Sequence, residues 1–187
     1  LADSAPATVT IAVNTPTIFS DGFESGGFSA IWTASSQTSV DSSAAETGTY
    51  GVLMKKSSTL ELNLTALNLT DDAVLTYSRR TQGLANSEYL TVTCDGTVLE
   101  QVNGKDVYAV SGDLPISAGA STIRFSTNGN AGNDLAMIDN VVITPATTNI
   151  SPTAGDDSAA TDEDTPVTIV VLENDSDGDG GTLSVQS

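Results

Sequence analysis

The sequence contains no histidine. That removes the commonest general base and transition-metal ligand at neutral pH, and with them Ser-His-Asp and Cys-His catalysis. A single cysteine, Cys94, excludes an internal disulfide. Only six Lys and Arg stand against 24 Asp and Glu, a formal net charge of −18. A chain of that charge repels nucleic acid and anionic bilayers at long range, and divalent cations are its natural counter-ligands. No apolar run approaches the roughly 18 residues of a membrane span, so no membrane insertion is expected. The first residues, Leu1 to Ser4, lack the basic and apolar regions of a signal peptide, and the expectation is a chain cut from a precursor or expressed as a piece.

What is present is Thr, Ser, Gly, Asn and Asp in abundance, the composition expected of an exported bacterial surface protein, hence a secreted or extracellular location. A length of 187 residues accommodates one full sandwich and fragments of its neighbours. Residues 7–13 alternate strictly, with Val9, Ile11 and Val13 on one face, before a linker at Asn14, Thr15 and Pro16. This strand has no hairpin partner beside it, so it must pair with something distant, in this domain, in an upstream domain or in another molecule.

Residues 17–146 read as strand after strand, with no helical periodicity. Leu60, Leu62 and Leu64 alternate with polar residues. Leu90, Val92 and Cys94 do the same, which makes Cys94 a core residue, and Asp95-Gly96 is a hairpin turn into Val98 and Leu99. Ile123, Phe125 and Met137 to Ile143 supply closing strands. About eight to ten half-buried strands predict an all-β fold, an antiparallel jelly-roll β-sandwich. Asn63, Asn68 and Asn149 sit in Asn-x-Thr or Asn-x-Ser triplets, which mean little in a bacterial chain. After a linker, residues 147–187 change character: residues 150–187 hold nine acids and no base. Val167, Ile169 and Val171 are expected to form one strand and Leu183 and Val185 to begin another, too little for an independent core.

Three constellations carry chemistry. The first is Phe19-Ser-Asp-Gly-Phe-Glu-Ser-Gly-Gly-Phe28, then Trp32, then Ala45-Glu-Thr-Gly-Thr-Tyr-Gly51, and finally Ala136-Met-Ile-Asp-Asn-Val-Val-Ile143. Four elements in this order resemble the MAM-like and carbohydrate-binding-module-like jelly rolls. The resemblance implies a structural calcium ion where first and last strands meet, with Glu24 and Asp139 as carboxylate ligands, Asp21 a third, and the loop around Thr47 giving a backbone carbonyl. Calcium takes six to eight hard oxygens, and two acids from opposite ends of the sequence would tie a domain's ends together. The alternative is that Asp21 and Glu24 are turn and edge residues and Asp139 a solvated acid.

The second constellation runs from Asp162-Glu-Asp-Thr-Pro to Asp175-Ser-Asp-Gly-Asp-Gly-Gly-Thr-Leu183. It resembles the opening half of the bacterial cadherin-like, immunoglobulin-like tandem repeats of adhesins, with Gly181 where an acid is usual. Residues Asp3 to Asn14 resemble the last strand of such a repeat, a resemblance that makes residues 1–16 the terminal strand and linker of a preceding repeat. Asp175, Asp177 and Asp179 alternate in a Gly-rich turn, which lets carboxylates converge on calcium as in the first half of an EF-hand loop, although no glutamate follows at EF-hand distance. The bland reading is a solvated acidic turn.

The third is a ligand face of Tyr77, Arg79, Arg80, Gln82 and Tyr89, expected on one hairpin. Aromatic rings stack on sugars and Arg holds their oxygens, a mixture that suits a polysaccharide or cell-surface glycan. Against it, the chain has only nine aromatics, Trp32 is expected in the core, and Arg79 and Arg80 would also balance Asp71 and Asp72. No carboxylate pair stands in a catalytic motif, so the reading is a non-catalytic, calcium-binding adhesion module. Its neighbours would be repeats of the same protein. The competing reading is a filament subunit that joins other copies by strand addition.

Overall fold

A computed structural model describes residues 16–84, 87–104, 106–146, 152–178 and 183. The chain divides into a compact unit Pro16–Ala146 and a second that groups Thr147–Ser187 with Leu1–Thr15. The strand expected at residues 7–13 lies outside the described residues.

The first unit is an antiparallel β-sandwich. Among the described residues it has twelve strands: β1 (Phe19–Asp21), β2 (Trp32–Ala34), β3 (Thr38–Asp41), β4 (Gly51–Lys55), β5 (Ser57–Asn63), β6 (Ala73–Gln82), β7 (Leu90–Cys94), β8 (Thr97–Val102), β9 (Ala109–Val110), β10 (Leu114–Ile116), β11 (Thr122–Asn128) and β12 (Leu135–Pro145). One sheet runs β10-β6-β12-β4-β3, with β1 also on β12 and β9 on β6; the other runs β2-β5-β11-β7-β8. The count exceeds the eight to ten expected because β9 and β10 are too short to show alternation. Pro115 of β10 is tolerated because β10 is an edge.

Alternation sets the faces. Leu60 and Leu62 of β5, Leu90, Val92 and Cys94 of β7, and Ile123 and Phe125 of β11 all point between the sheets and are buried. Asp95, at φ 46°, opens the tight turn from β7 to β8. An aromatic chain crosses the core. Trp32 lies 5.5 Å from Phe23, 6.1 Å from Phe19 and 6.5 Å from Phe125, and Phe125 lies 5.0 Å from Tyr77 in an edge-on contact.

The central strand β12 changes neighbours partway along. Its residues Leu135–Ile138 pair with β4 and its residues Val141–Ile143 with β1, while β6 follows it on the other side with a register shift between Asp139 and Val142. Asn140 sits in the left-handed region at φ 50°, as expected at a bulge. The gap between the end of β1 and the start of β4 therefore falls opposite Asp139 and Asn140.

In the second unit the expected strand at Val167, Ile169 and Val171 is not formed. Residues 165–170 carry no ladder, and Val167, Ile169 and Val170 are 49%, 45% and 63% exposed. An alternating segment becomes a strand only against an edge to pair with and a face to bury. Among the described residues the unit's pairing is a single bridge, Thr153 to Ser176. Leu183 lies outside any strand, and Val185 lies outside the described residues.

Candidate functional site: a carboxylate corner and an outer sheet face

The gap beside β12 is filled by Gly22 to Glu24 and by the loop 45–50. Asp139 is fully buried. Its Oδ2 accepts the amides of Glu46 at 2.9 Å and Thr47 at 3.2 Å, and its Oδ1 accepts its neighbour Asn140's amide at 2.7 Å. The Glu24 carboxylate accepts the amide of Thr49 at 2.9 Å and that of Tyr50 at 3.1 Å. Those bonds, Tyr50's first and then Thr49's, hold the Glu24 carboxyl below its ordinary value. Thr47 Oγ1 donates to Asn140 Oδ1 at 3.1 Å, and Asn140 Nδ2 donates to Glu46 Oε2 at 3.2 Å.

Two glycines make room for this approach. A Cβ on Gly48, at φ 69°, would lie 2.5 Å from the Glu24 carboxyl carbon. A Cβ on Gly51 would lie 2.1 Å from the Ala44 carbonyl oxygen. Both loops close only over bare backbone.

Glu24, Thr47 and Asp139 thus lie at one corner of the sandwich. Asp21 does not join them: its Oδ2 takes the Trp32 indole N–H at 2.8 Å and its Oδ1 the Phe23 amide at 2.7 Å, so it anchors the start of the domain. The 46–50 loop turns amide donors to the two carboxylates. Among the described residues no three acidic side chains cluster closely enough to hold a metal ion. A Cβ on Gly22 would sit 3.6 Å from Asn140 Oδ1, 3.9 Å from Asp139 Oδ1 and 4.0 Å from Glu24 Cγ. Glu46 and Asn140 were missed as site residues although they adjoin Thr47 and Asp139 in the quoted motifs.

In the second unit, Asp175 Oδ1 accepts the Gly155 amide at 2.8 Å, a structural bond. Asp177 is partly buried, and Asp179 lies outside the described residues.

The third constellation divides. Tyr77 is fully buried, and its hydroxyl donates to Glu100 Oε2 at 2.5 Å. Arg79 donates to Glu100 Oε1 at 2.6 Å and to the carbonyls of Ala109 and Val110, each at 3.3 Å. These two residues clamp β6 to β8 of the opposite sheet and offer no ring face to a sugar. Their place is readable in sequence, since Tyr77 and Arg79 share the parity of Ala73 and Leu75. Tyr89 precedes β7 in the other sheet, its amide bonded to Asn128 Oδ1 at 2.6 Å, so the four residues do not share a hairpin. The partners of Arg79 and Arg80 are Glu100 and Asp106, not Asp71 and Asp72.

Gln82 is exposed at the end of β6, and Arg80 is partly exposed. Arg80 pairs with Asp106 Oδ1 at 2.8 Å, and its guanidinium carbon lies 6.0 Å from the centre of the Tyr108 ring. Tyr108 packs on the small outer cluster of Ala44, Leu53 and Met137, and its hydroxyl donates to the Ala44 carbonyl at 2.6 Å. Burial first, then the Asp139 charge, pushes the Tyr108 hydroxyl up to about 12. Tyr108 was missed because a lone aromatic in a polar segment shows no period.

A family model described as a bacterial Ig domain matches residues 149–187. No curated protein matches the chain. Among solved structures, the CBM22-1 xylan-binding domain of Xyn10C from Paenibacillus barcinonensis shares 15% identity at a TM-score of 0.51, covering 73% of this chain and 99% of that one. The K3 cleaved adhesin domain of Lys-gingipain from Porphyromonas gingivalis shares 15% at 0.55, covering 69% and 99%. Its K1 domain also shares 15% at 0.55, covering 69% and 98%. The sandwich therefore has the fold of carbohydrate-binding modules and cleaved adhesin domains, followed by a segment similar to bacterial Ig domains.

Proposed function

We propose that this chain is a non-catalytic, extracellular binding and adhesion module whose ligand is a polysaccharide or cell-surface glycan. The observation that carries this reading is the sorting of polar side chains. Tyr77, Arg79 and Asp139 are committed to holding loops and sheets, while Arg80 lies over Tyr108 with Asp106 beside them. The sugar would lie on this outer face, where a planar guanidinium and an aromatic ring suit hydroxyl-rich ligands. The fold shared with a xylan-binding domain and adhesin domains supports the class of partner. Affinity electrophoresis of the whole chain in gels containing xylan or a panel of other polysaccharides tests it. Retardation should occur in at least one gel and weaken in Arg80→Ala. Unchanged mobility throughout, or retardation indifferent to Arg80, removes the reading.

At the corner, calcium would be held by Glu24 and Asp139, with the side-chain oxygens of Thr47 and Asn140. Support comes from the Asp139 and Asn140 oxygens that face Gly22, with the Glu24 side chain beside them. The ion would neutralise the carboxylates and tighten the 46–50 loop. Calorimetric titration with calcium chloride should give a saturating heat that Glu24→Gln abolishes, and a flat titration of the parent chain rejects the ion.

A second reading, filament assembly between copies by strand addition, is favoured by the exposure of Val167, Ile169 and Val170. Light scattering after size exclusion tests it, and a monomer at high concentration excludes it.

A further inference from the structure

The sandwich takes in and sends out its chain at one place. β1 begins where β12 ends: Phe19 stands opposite Ile143, and the Ile18 amide donates to the Ile143 carbonyl at 2.8 Å. Thr17 and Ala146 are both exposed there. Tension carried through these two residues pulls neighbouring antiparallel strands apart from the same end. It opens their hydrogen bonds one after another instead of loading them together.

The two strands resist unequally. β12 is paired on both sides, with nine β6 residues opposite it. β1 holds β12 by three residues, Phe19, Ser20 and Asp21. Immediately after Asp21 the attachment becomes strong. The Asp21 carboxylate binds the Trp32 indole and the Phe23 amide, the Phe23 ring is fully buried, and Glu24 holds the amides of Thr49 and Tyr50.

We propose that β1 is a tension-released strap: load transmitted through Thr17 and Ala146 peels it from β12 while the rest of the sandwich stays folded, and the peeling stops at the Asp21 to Glu24 anchor. Release of residues 17–20, up to the Asp21 anchor, frees about 14 Å of chain, at 3.3–3.6 Å per residue. It bares the β12 edge at Val141–Ile143. On unloading, the strap returns to the same register, because Phe19 has its place against Trp32. The inference rests on strand order and on the Asp21 to Glu24 anchor, and holds whatever ligand the module binds.

Single-molecule force spectroscopy on the full chain tests it in two directions. Handles on Thr17→Cys and Ala146→Cys load β1 and β12 from one end. Handles on Thr17→Cys and Gly132→Cys load them lengthwise in opposite directions, and a side chain at Gly132 meets open space. Native Cys94 is buried, so the handles attach at the introduced thiols. In the first geometry, a reversible step that frees about 14 Å of chain should precede the main unfolding event, at a force several-fold below that for β1 release in the second. Equal forces in the two geometries, or a single event without the early step, overturns the proposal.

Discussion

Replacing Asp139 by alanine tests the view that one buried carboxylate holds the 45–50 loop onto β12. The substitution removes the acceptor of three amides, those of Glu46, Thr47 and Asn140 at 2.9, 3.2 and 2.7 Å. A hydrogen bond to a charged group contributes about 1.5–3 kcal/mol. The lower end applies here, because Glu46 and Thr47 are exposed and their amides can turn to water, and because the Thr47 bond is long. The sum is then about 4.5 kcal/mol, a fall in melting temperature of roughly 15 °C for a unit of this size. Asp139→Asn keeps one oxygen for the Asn140 amide but sets an NH2 group against two N–H donors, so it should lose about 3 kcal/mol. Thermal denaturation followed by circular dichroism gives the magnitudes, and amide hydrogen exchange gives the location, with protection lost at residues 46 and 47. A fall of less than about 2 °C in Asp139→Ala, or unchanged exchange at those amides, would show that the loop is held by something else.

The folded-state pKa of Glu24 is lowered by the Tyr50 and Thr49 amides, and that of Asp41 by the Ser43 hydroxyl and amide. Groups so depressed contribute stability above their unfolded values of 4.5 and 3.8 and lose it as pH falls through the folded ones. The melting temperature should therefore drop below about pH 4.5, less steeply in Glu24→Gln, and an identical acid limb in that variant contradicts the assignment. Burial and the Glu100 contact push the Tyr77 hydroxyl above the ordinary tyrosine range. Ultraviolet titration should accordingly find one of the four tyrosines silent until unfolding, and Tyr77→Phe should remove that silent one. Gly51→Ala drives a methyl group into the Ala44 carbonyl and should cost about 2 kcal/mol or more, whereas Gly132→Ala, in open space, should leave the melting curve unchanged. Equal melting temperatures for these two alanine variants would contradict the packing of the 45–50 loop.

Alternation at period two was enough to read the all-β class, the inward set of Leu60, Leu62, Leu90, Val92 and Cys94, and the turn at Asp95, because side-chain direction along a strand is a local property. The meeting of Glu24, Thr47 and Asp139 was legible for another reason, the order of short motifs in a resembled family. Alternation tells which face a residue takes and says nothing about which strand lies beside it. Hence the switch of β12 from β4 to β1, and the bulge that sets Asp139 and Asn140 into the gap between them, were decided by packing between segments far apart in sequence. The same limit explains Tyr77 and Arg79. Their parity already placed them inside, but only the opposite sheet, by bringing Glu100 within 2.6 Å, determined that a tyrosine and an arginine would serve as a clamp instead of a ligand face. Val167 and Ile169 show the converse: their pattern is that of a strand, yet a strand needs an edge to pair with, and that is a property of the tertiary structure alone.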